Sequence, residues 1–72
     1  MGQRISKLGI VVNGRATSTG AATVAGLLEE QGYTGLKVAT AVNGEFVAER
    51  ARTATALRPG DRIEVVSARQ GG

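Results

Sequence analysis

The 72-residue sequence contains no cysteine, no histidine and no tryptophan. Without cysteine, neither a disulfide nor a thiolate-bound metal can stabilise the fold. Without histidine, the chain lacks the usual general base and the commonest metal ligand. Its carboxylates are scattered along the chain, at Glu29, Glu30, Glu45, Glu49, Asp61 and Glu64. We therefore expect no catalytic residue and no metal site, and a role that is not enzymatic.

Aromatic residues are also scarce, since Tyr33 and Phe46 are the only two. The core must therefore consist of aliphatic side chains. A chain of this length forms one domain, and a domain of about 60 residues buries only about 60% of the surface that its unfolded chain exposes. The sequence thus predicts a single small domain of marginal stability.

Long apolar segments are missing as well. No run approaches the roughly 18 residues that a membrane-spanning helix needs. The polar stretch from Met1 to Lys7 is not followed by the apolar region of a signal peptide. We expect a cytoplasmic protein that does not bind a membrane.

Positive charge is in excess, with a formal net charge of +3. From residue 50 onward the chain has two carboxylates and five arginines, which are Arg50, Arg52, Arg58, Arg62 and Arg69. Such a stretch is typical of a surface that binds nucleic acid or an acidic protein, but a solvated arginine-rich face is the interpretation we favour. Proteins that bind single-stranded nucleic acid stack bases on several aromatic side chains. We therefore expect no nucleic-acid partner.

The first part of the chain is predicted to form a β-hairpin. From Lys7 to Asn13, apolar residues alternate with others, which is the pattern of a strand with one buried face. Asn13-Gly14 is a strong signal for a two-residue hairpin turn. Residues Arg15 to Ser18 would then form the returning strand.

The hydrophobic period changes to that of a helix over residues 24–31. Val24 and Leu27 lie on one helical face. Thr23 is placed to cap the N-terminus with its hydroxyl, and Gly32 is suited to end the helix. A helix of about two turns is not stable alone, so we expect it to pack on the sheet.

A second hairpin is predicted after the helix. Lys37–Asn43 alternates as a strand, Asn43-Gly44 predicts another tight turn, and Phe46-Val47 begins a short strand. Residues 48–58 are compatible with either a helix or irregular structure, with Leu57 as the expected core residue.

The last strand is predicted over Arg62–Ala68, with Ile63 and Val65 facing inward and Val66 outward. The order β-β-α-β-β-β predicts an α+β fold in which a mixed sheet of four to five strands packs on one helix. We expect a domain over residues 7–68, preceded by a flexible extension at 1–6.

The remaining residues, Arg69-Gln70-Gly71-Gly72, are predicted to form a flexible tail (69–72) because they include no large apolar side chain. With 11 glycines among 72 residues, two final glycines arise by chance in about 2% of such chains. A glycine pair at a free end forms a thin thread carrying one carboxylate, although a cloning remnant ends in the same way. The carboxylate of Gly72 is the one group that we interpret as a reaction centre.

Several segments keep a distinctive order and spacing, namely Ile10–Gly14, Thr23–Leu28, Val38–Glu45, Leu57–Asp61, Ile63–Val66 and Gly71-Gly72. In this arrangement, residues 8–72 resemble the ubiquitin-like sulfur carriers of β-grasp fold, and among them the ThiS family of thiamine biosynthesis. The sequence departs from the family at residues 1–6, which are additional. Ala48 and Arg52 stand where relatives often have a proline and a tryptophan.

The resemblance implies a β-grasp fold and a chemistry at the tail. A partner enzyme using ATP and Mg²⁺ would adenylate the carboxylate of Gly72, and sulfur would then replace AMP. The resulting thiocarboxylate would donate its sulfur for the thiazole ring of thiamine. The implied partners are the adenylating (E1-like) enzyme, thiazole synthase and a sulfur donor protein. Gly71 would give access to narrow active sites, while Arg69, Gln70 and Val66 are candidate docking residues.

Other functions remain open at this point. The same fold occurs in the small subunit of molybdopterin synthase and in sulfur carriers of other pathways, and the sequence does not separate them. A β-grasp module that binds RNA or protein, or a protein modifier, is a further alternative. Such a module would use the stretch from Arg50 to Arg69, and its binding to RNA would weaken steeply with salt.

Overall fold

A computed structural model of the chain describes residues 7–67. Its elements, in chain order, are β1 Leu8–Val12, β2 Arg15–Thr19, α1 Val24–Glu30, β3 Val38–Val42, β4 Glu45–Val47, a 3₁₀ helix Glu49–Ala54 and β5 Arg62–Ser67. The predicted strands and the predicted helix are all present, with bounds that differ from the expected ones by no more than one residue. The proposed extension at 1–6 and tail at 69–72 lie outside the described residues.

The strands form one five-stranded mixed sheet in the order β2-β1-β5-β3-β4. β1 and β5 run parallel, whereas the other neighbouring pairs are antiparallel. The two hairpins therefore lie on either side of β5, which comes last in the chain and occupies the middle of the sheet. The predicted α+β architecture, a mixed sheet packed on one helix, is confirmed.

Both Asn-Gly hairpin turns are present. Asn13 and Gly14 have φ values of 51° and 81°, and Asn43 and Gly44 have values of 52° and 86°. Positive φ at both central residues is required by the turn type whose twist matches that of the flanking strands. Asparagine and glycine adopt this conformation most readily, so the local sequence determines where each hairpin reverses.

Helix α1 is fixed at both ends by the predicted residues. The Thr23 hydroxyl accepts a hydrogen bond from the backbone N–H of Gly26 at 3.1 Å, and Gly32 has a φ of 85° just beyond the last turn. No helix in residues 7–67 is long and apolar enough to cross a membrane.

The core lies between the sheet and α1, and its buried apolar side chains among the described residues are Ile10, Val12, Val24, Leu27, Leu28, Val47, Leu57, Ile63 and Val65. All of them are aliphatic, as predicted. Tyr33 packs only partly buried at the margin of this cluster, and Phe46 is exposed. Leu57 is confirmed as a core residue.

The 3₁₀ helix resolves the segment for which the sequence left two possibilities. Arg52 anchors it to β3, because its Nη2 donates to the carbonyl of Val38 at 2.7 Å and its Nε donates to Oγ1 of Thr40 at 3.3 Å. Thr40 is 1% exposed and donates in turn to the carbonyl of Val47 at 3.0 Å. Arg52 therefore has a structural role in this chain.

A carboxylate joins the end of α1 to the end of β2. The buried hydroxyl of Thr19 donates to Oε1 of Glu30, and the Gly20 backbone N–H donates to Oε2 of Glu30 at 3.2 Å. The Thr19 hydrogen bond, followed by the Gly20 hydrogen bond and the positive charge of Lys7, lowers the pKa of Glu30 below its ordinary value. These bonds favour the ionised carboxylate.

Candidate functional site

The predicted reactive group is the carboxylate of Gly72. It lies outside the described residues, as do the predicted access residue Gly71 and the candidate docking residues Arg69 and Gln70. The structure describes instead the body that carries this segment, up to Ser67 at the end of β5. The geometry of this body shows which contacts hold β5 in place and which exposed surface lies beside β5.

The end of β5 nearest the tail is held on both sides. On one side β3 pairs with β5 as far as Val38, opposite Ser67. On the other side β1 pairs with only the first two residues of β5, and the side chain of Asn13 continues the contact. Its Oδ1 accepts from the N–H of Val65 at 2.8 Å, and its Nδ2 donates to the carbonyl of Val65 at 3.2 Å.

Asn43 fixes the opposite end of β5. Its Oδ1 accepts from the N–H of Arg62 at 3.0 Å, while its own N–H donates to the Arg62 carbonyl at 2.8 Å. Its Nδ2 donates to Oδ1 of Asp61 at 3.0 Å, and Oδ2 of Asp61 accepts from the N–H of Arg58 at 2.9 Å. Asp61 is 9% exposed, so a nearly buried carboxylate organises the turn that leads into β5.

The sheet face opposite α1 carries exposed apolar side chains. Val66 is 55% exposed and Phe46 is 71% exposed. The register places Ala39 opposite Val66 and Ala41 opposite Phe46, and alternate residues of a strand share a face. We call these four residues the outer patch. The predicted outward orientation of Val66 is confirmed.

The described arginines of the basic stretch do not share one surface. Arg62 alternates with buried Ile63 and so lies on the outer face. Arg50 belongs to the 3₁₀ helix, which packs against α1 on the other side of the sheet. Arg52 is hydrogen-bonded to β3 there. This division argues against a continuous nucleic-acid-binding surface built from these arginines.

The described body offers surfaces rather than an enclosed reaction site. Within residues 7–67, no cluster of three or more His, Cys, Asp or Glu side chains is placed to hold a metal ion. The same residues include no buried side-chain nitrogen or oxygen without a hydrogen-bond partner. A groove of about 510 Å³ between α1, the loop after it and the 3₁₀ helix is broadly open to solvent.

Comparison with known proteins assigns the family. The model of the ThiS family matches residues 10–72, which is most of the chain and includes both final glycines. The chain belongs to the ThiS family. A crystal structure of the thiamine biosynthesis protein ThiS from Geobacter metallireducens is similar, with a TM-score of 0.72 and 28% sequence identity, over 83% of this chain and 93% of that protein. No curated protein matches the sequence.

Membership of the ThiS family establishes the general role. The chain is a ThiS-like sulfur carrier with a β-grasp fold. ThiS-like carriers are small carrier proteins rather than catalysts, and they act with partner enzymes of sulfur transfer.

The side chains that hold β5 were not predicted from the sequence. The sequence pattern indicates only a turn role for Asn13 and Asn43. Asparagine with positive φ at the end of a strand can turn its amide toward a neighbouring strand. The neighbour cannot be identified locally, however, since Val65 is 52 residues away from Asn13 in the sequence.

Proposed function

We propose that this carrier is adenylated at the carboxylate of Gly72 and converted there to a thiocarboxylate, which donates sulfur for the thiazole ring of thiamine. The observation that carries the proposal is the family match, because it extends through Gly71 and Gly72. The similarity to a protein named for thiamine biosynthesis supports the choice of pathway.

Activation is required because an α-carboxylate has a pKa of about 3.5 and is a poor electrophile when ionised. In the proposed reaction a carboxylate oxygen of Gly72 bonds to the α-phosphorus of ATP, and pyrophosphate leaves. Hydrosulfide (HS⁻) delivered by the sulfur donor protein then attacks the carbonyl carbon, AMP leaves, and loss of the remaining S–H proton to water gives the thiocarboxylate. The partner enzyme supplies the ATP and Mg²⁺ site.

The absence of side chains at the last two positions suits this reaction. A residue without Cβ is narrow and permits a close approach of backbone to a partner. We therefore assign Gly71 to access and Gly72 to the chemistry. A side chain at either position would crowd the carbonyl that must be attacked.

The partner enzyme is proposed to dock on the outer patch. Its members Phe46 and Val66 are exposed apolar side chains on the face that α1 leaves uncovered, and apolar side chains in the centre of an interface supply much of its binding energy. Val66 lies one residue before the end of β5, so a partner bound there sits beside the start of the tail. Arg69 and Gln70 would then contact the same partner.

Intact-mass spectrometry tests the chemistry. The protein is incubated with a ThiS-adenylating enzyme, ATP, Mg²⁺ and a sulfur donor. We expect a product in which one sulfur replaces one oxygen. Deletion of Gly72 should abolish the product while leaving the unfolding transition unchanged. The proposal fails if a competent partner, shown to act on another ThiS protein, leaves the mass unaltered.

A second assay tests the pathway. The thiocarboxylated protein is supplied in parallel to thiazole synthase and to the large subunit of molybdopterin synthase. Formation of the thiazole product supports thiamine biosynthesis. Sulfur transfer to the molybdopterin precursor alone would place this carrier in the other pathway.

A further inference from the structure

The parallel pairing of β1 with β5 ends before β5 does. β1 pairs with Arg62 and Ile63, after which the chain turns away at Asn13-Gly14. The remaining four residues of β5, 64–67, have β3 as their neighbour on one side. On the other side no further residue of β1 faces them. Among the described residues, Val65 therefore has no strand residue opposite it on this flank.

The side chain of Asn13 supplies the missing pairing. The N–H groups of Val11 and Asn13 donate to the carbonyls of Asp61 and Ile63, each at 2.9 Å. If the parallel pairing continued, the next acceptor would be the carbonyl of Val65, two residues further along β5. That carbonyl accepts a hydrogen bond from Nδ2 of Asn13 at 3.2 Å. The N–H of Val65 in turn donates to Oδ1 of Asn13 at 2.8 Å. One primary amide thus replaces both hydrogen bonds of a strand residue.

We propose that Asn13 is a positioning residue for transfer at Gly72. This inference rests on the proposed function, since it concerns how the tail reaches the partner. Asn13 bonds both main-chain groups of Val65, two residues before Ser67 at the end of β5. It thereby holds the last residues of β5 in place beside the outer patch, and the tail continues from there. A partner docked on that patch receives the tail from a fixed starting point.

The side-chain role of Asn13 can be separated from its role in the turn. Asn13 has a φ of 51°, a conformation that glycine adopts without strain. The substitution Asn13→Gly therefore keeps the turn and removes only the amide. Asn43→Gly is the matched control, because Asn43 has a φ of 52° and its amide bonds the same strand at Arg62, the end far from the tail.

Steady-state adenylation by a ThiS-adenylating enzyme, followed as pyrophosphate release, tests the inference. Asn13→Gly is expected to lower kcat about tenfold, because loss of orientation lowers the rate of a positioned reaction. Its KM should stay within about twofold of the wild-type value, because the outer patch that binds the partner is intact. Asn43→Gly should leave kcat within about twofold, although it also removes hydrogen bonds to the strand. Equal losses in the two variants, or no loss in Asn13→Gly, would overturn the inference.

A measurement without the partner distinguishes failure of this inference from failure of the proposed function. We expect ¹⁵N relaxation in the free protein to show increased mobility at Ser67 and Ala68 in Asn13→Gly, but not in Asn43→Gly. Unchanged relaxation in Asn13→Gly overturns the inference. Failure of the wild-type protein to be adenylated would overturn the proposed function instead.

A second substitution tests the inference if Asn13→Gly folds poorly. Asn13→Asp keeps an oxygen for the N–H of Val65 but sets a carboxylate oxygen against its carbonyl. It should lower kcat in the same direction and increase the mobility of Ser67. Wild-type values of both quantities in Asn13→Asp would contradict the assigned role.

Discussion

The two faces of the sheet carry similar residue types but have different roles. The inner face sets Ile10, Ile63 and Val65 against α1, where each is at most 6% exposed. The outer face leaves Val66 and Phe46 more than half exposed. Apolar side chains on the covered face stabilise the fold because they are removed from water. Those on the uncovered face add little to folding and are available to a partner.

The largest effect should follow truncation on the inner face. Leu27 is fully buried in α1, so Leu27→Ala should lower the free energy of unfolding by about 3 kcal/mol, from lost apolar burial and the cavity that remains. A domain of this size has a total free energy of unfolding of about 4–11 kcal/mol. The variant should therefore unfold at a much lower urea concentration than the wild type.

Leu36→Ala is the matched control, because Leu36 is 53% exposed in the loop after α1. It should change the free energy of unfolding by no more than about 0.5 kcal/mol. A similar loss in both variants would show that burial against the sheet is not what stabilises this domain.

On the outer face, the effect should appear in binding rather than in stability. Val66→Ser and Phe46→Ser are each expected to weaken binding to the adenylating enzyme about tenfold, which corresponds to about 1.4 kcal/mol. Their free energies of unfolding, measured by urea denaturation, should remain within about 0.5 kcal/mol of the wild-type value.

Leu36→Ser separates the outer patch from exposed apolar side chains in general. Leu36 is as exposed as Val66 but lines the groove beside α1. Titration calorimetry with the adenylating enzyme should give wild-type affinity for this variant. If Leu36→Ser weakens binding as much as Val66→Ser does, the docking surface is not the outer patch.

The difference between the faces was partly accessible from sequence. Alternation along a strand predicts which residues share a face, so the outward position of Val66 followed from buried Ile63 and Val65. Alternation does not predict which strands are neighbours. The outer patch forms because β3 lies between β4 and β5, which places Ala39 and Ala41 between Phe46 and Val66.

Side-chain contacts between distant segments were not predictable in the same way. The 3₁₀ helix at Glu49–Ala54 depends on Arg52 reaching Val38 and Thr40 on β3. The contact of Asn13 with Val65 spans 52 residues. A single sequence shows turn chemistry and periodicity, which are local, but it does not show which polar group a folded neighbour will present. That the tail is reactive remains a prediction from composition and family resemblance, and residues 69–72 lie beyond the described part of the chain.

The smallest effect concerns a residue that belongs to neither face. Glu30 accepts hydrogen bonds from Thr19 and Gly20, and its folded-state pKa is lowered. A lowered pKa means that the ionised group stabilises the fold above the pKa of the unfolded chain, about 4.3 for glutamate. That contribution is lost as the pH falls through the folded-state pKa. The wild type should therefore lose stability in acid as Glu30 becomes protonated. Glu30→Gln has no carboxyl group at this position, so its loss of stability in acid should be smaller.

Thermal unfolding of both proteins between neutral pH and about pH 3, below the ordinary glutamate pKa, measures the difference. We expect the wild type to be slightly more stable than Glu30→Gln at neutral pH. The difference in melting temperature between the two proteins, the gap, should narrow in acid. Glu29→Gln removes an equal charge from the neighbouring exposed residue and controls for the change in net charge. A gap that is constant with pH would show that the bonds to Thr19 and Gly20 do not depend on ionisation. The end of α1 would then be held to β2 by contacts that do not require the negative charge of Glu30.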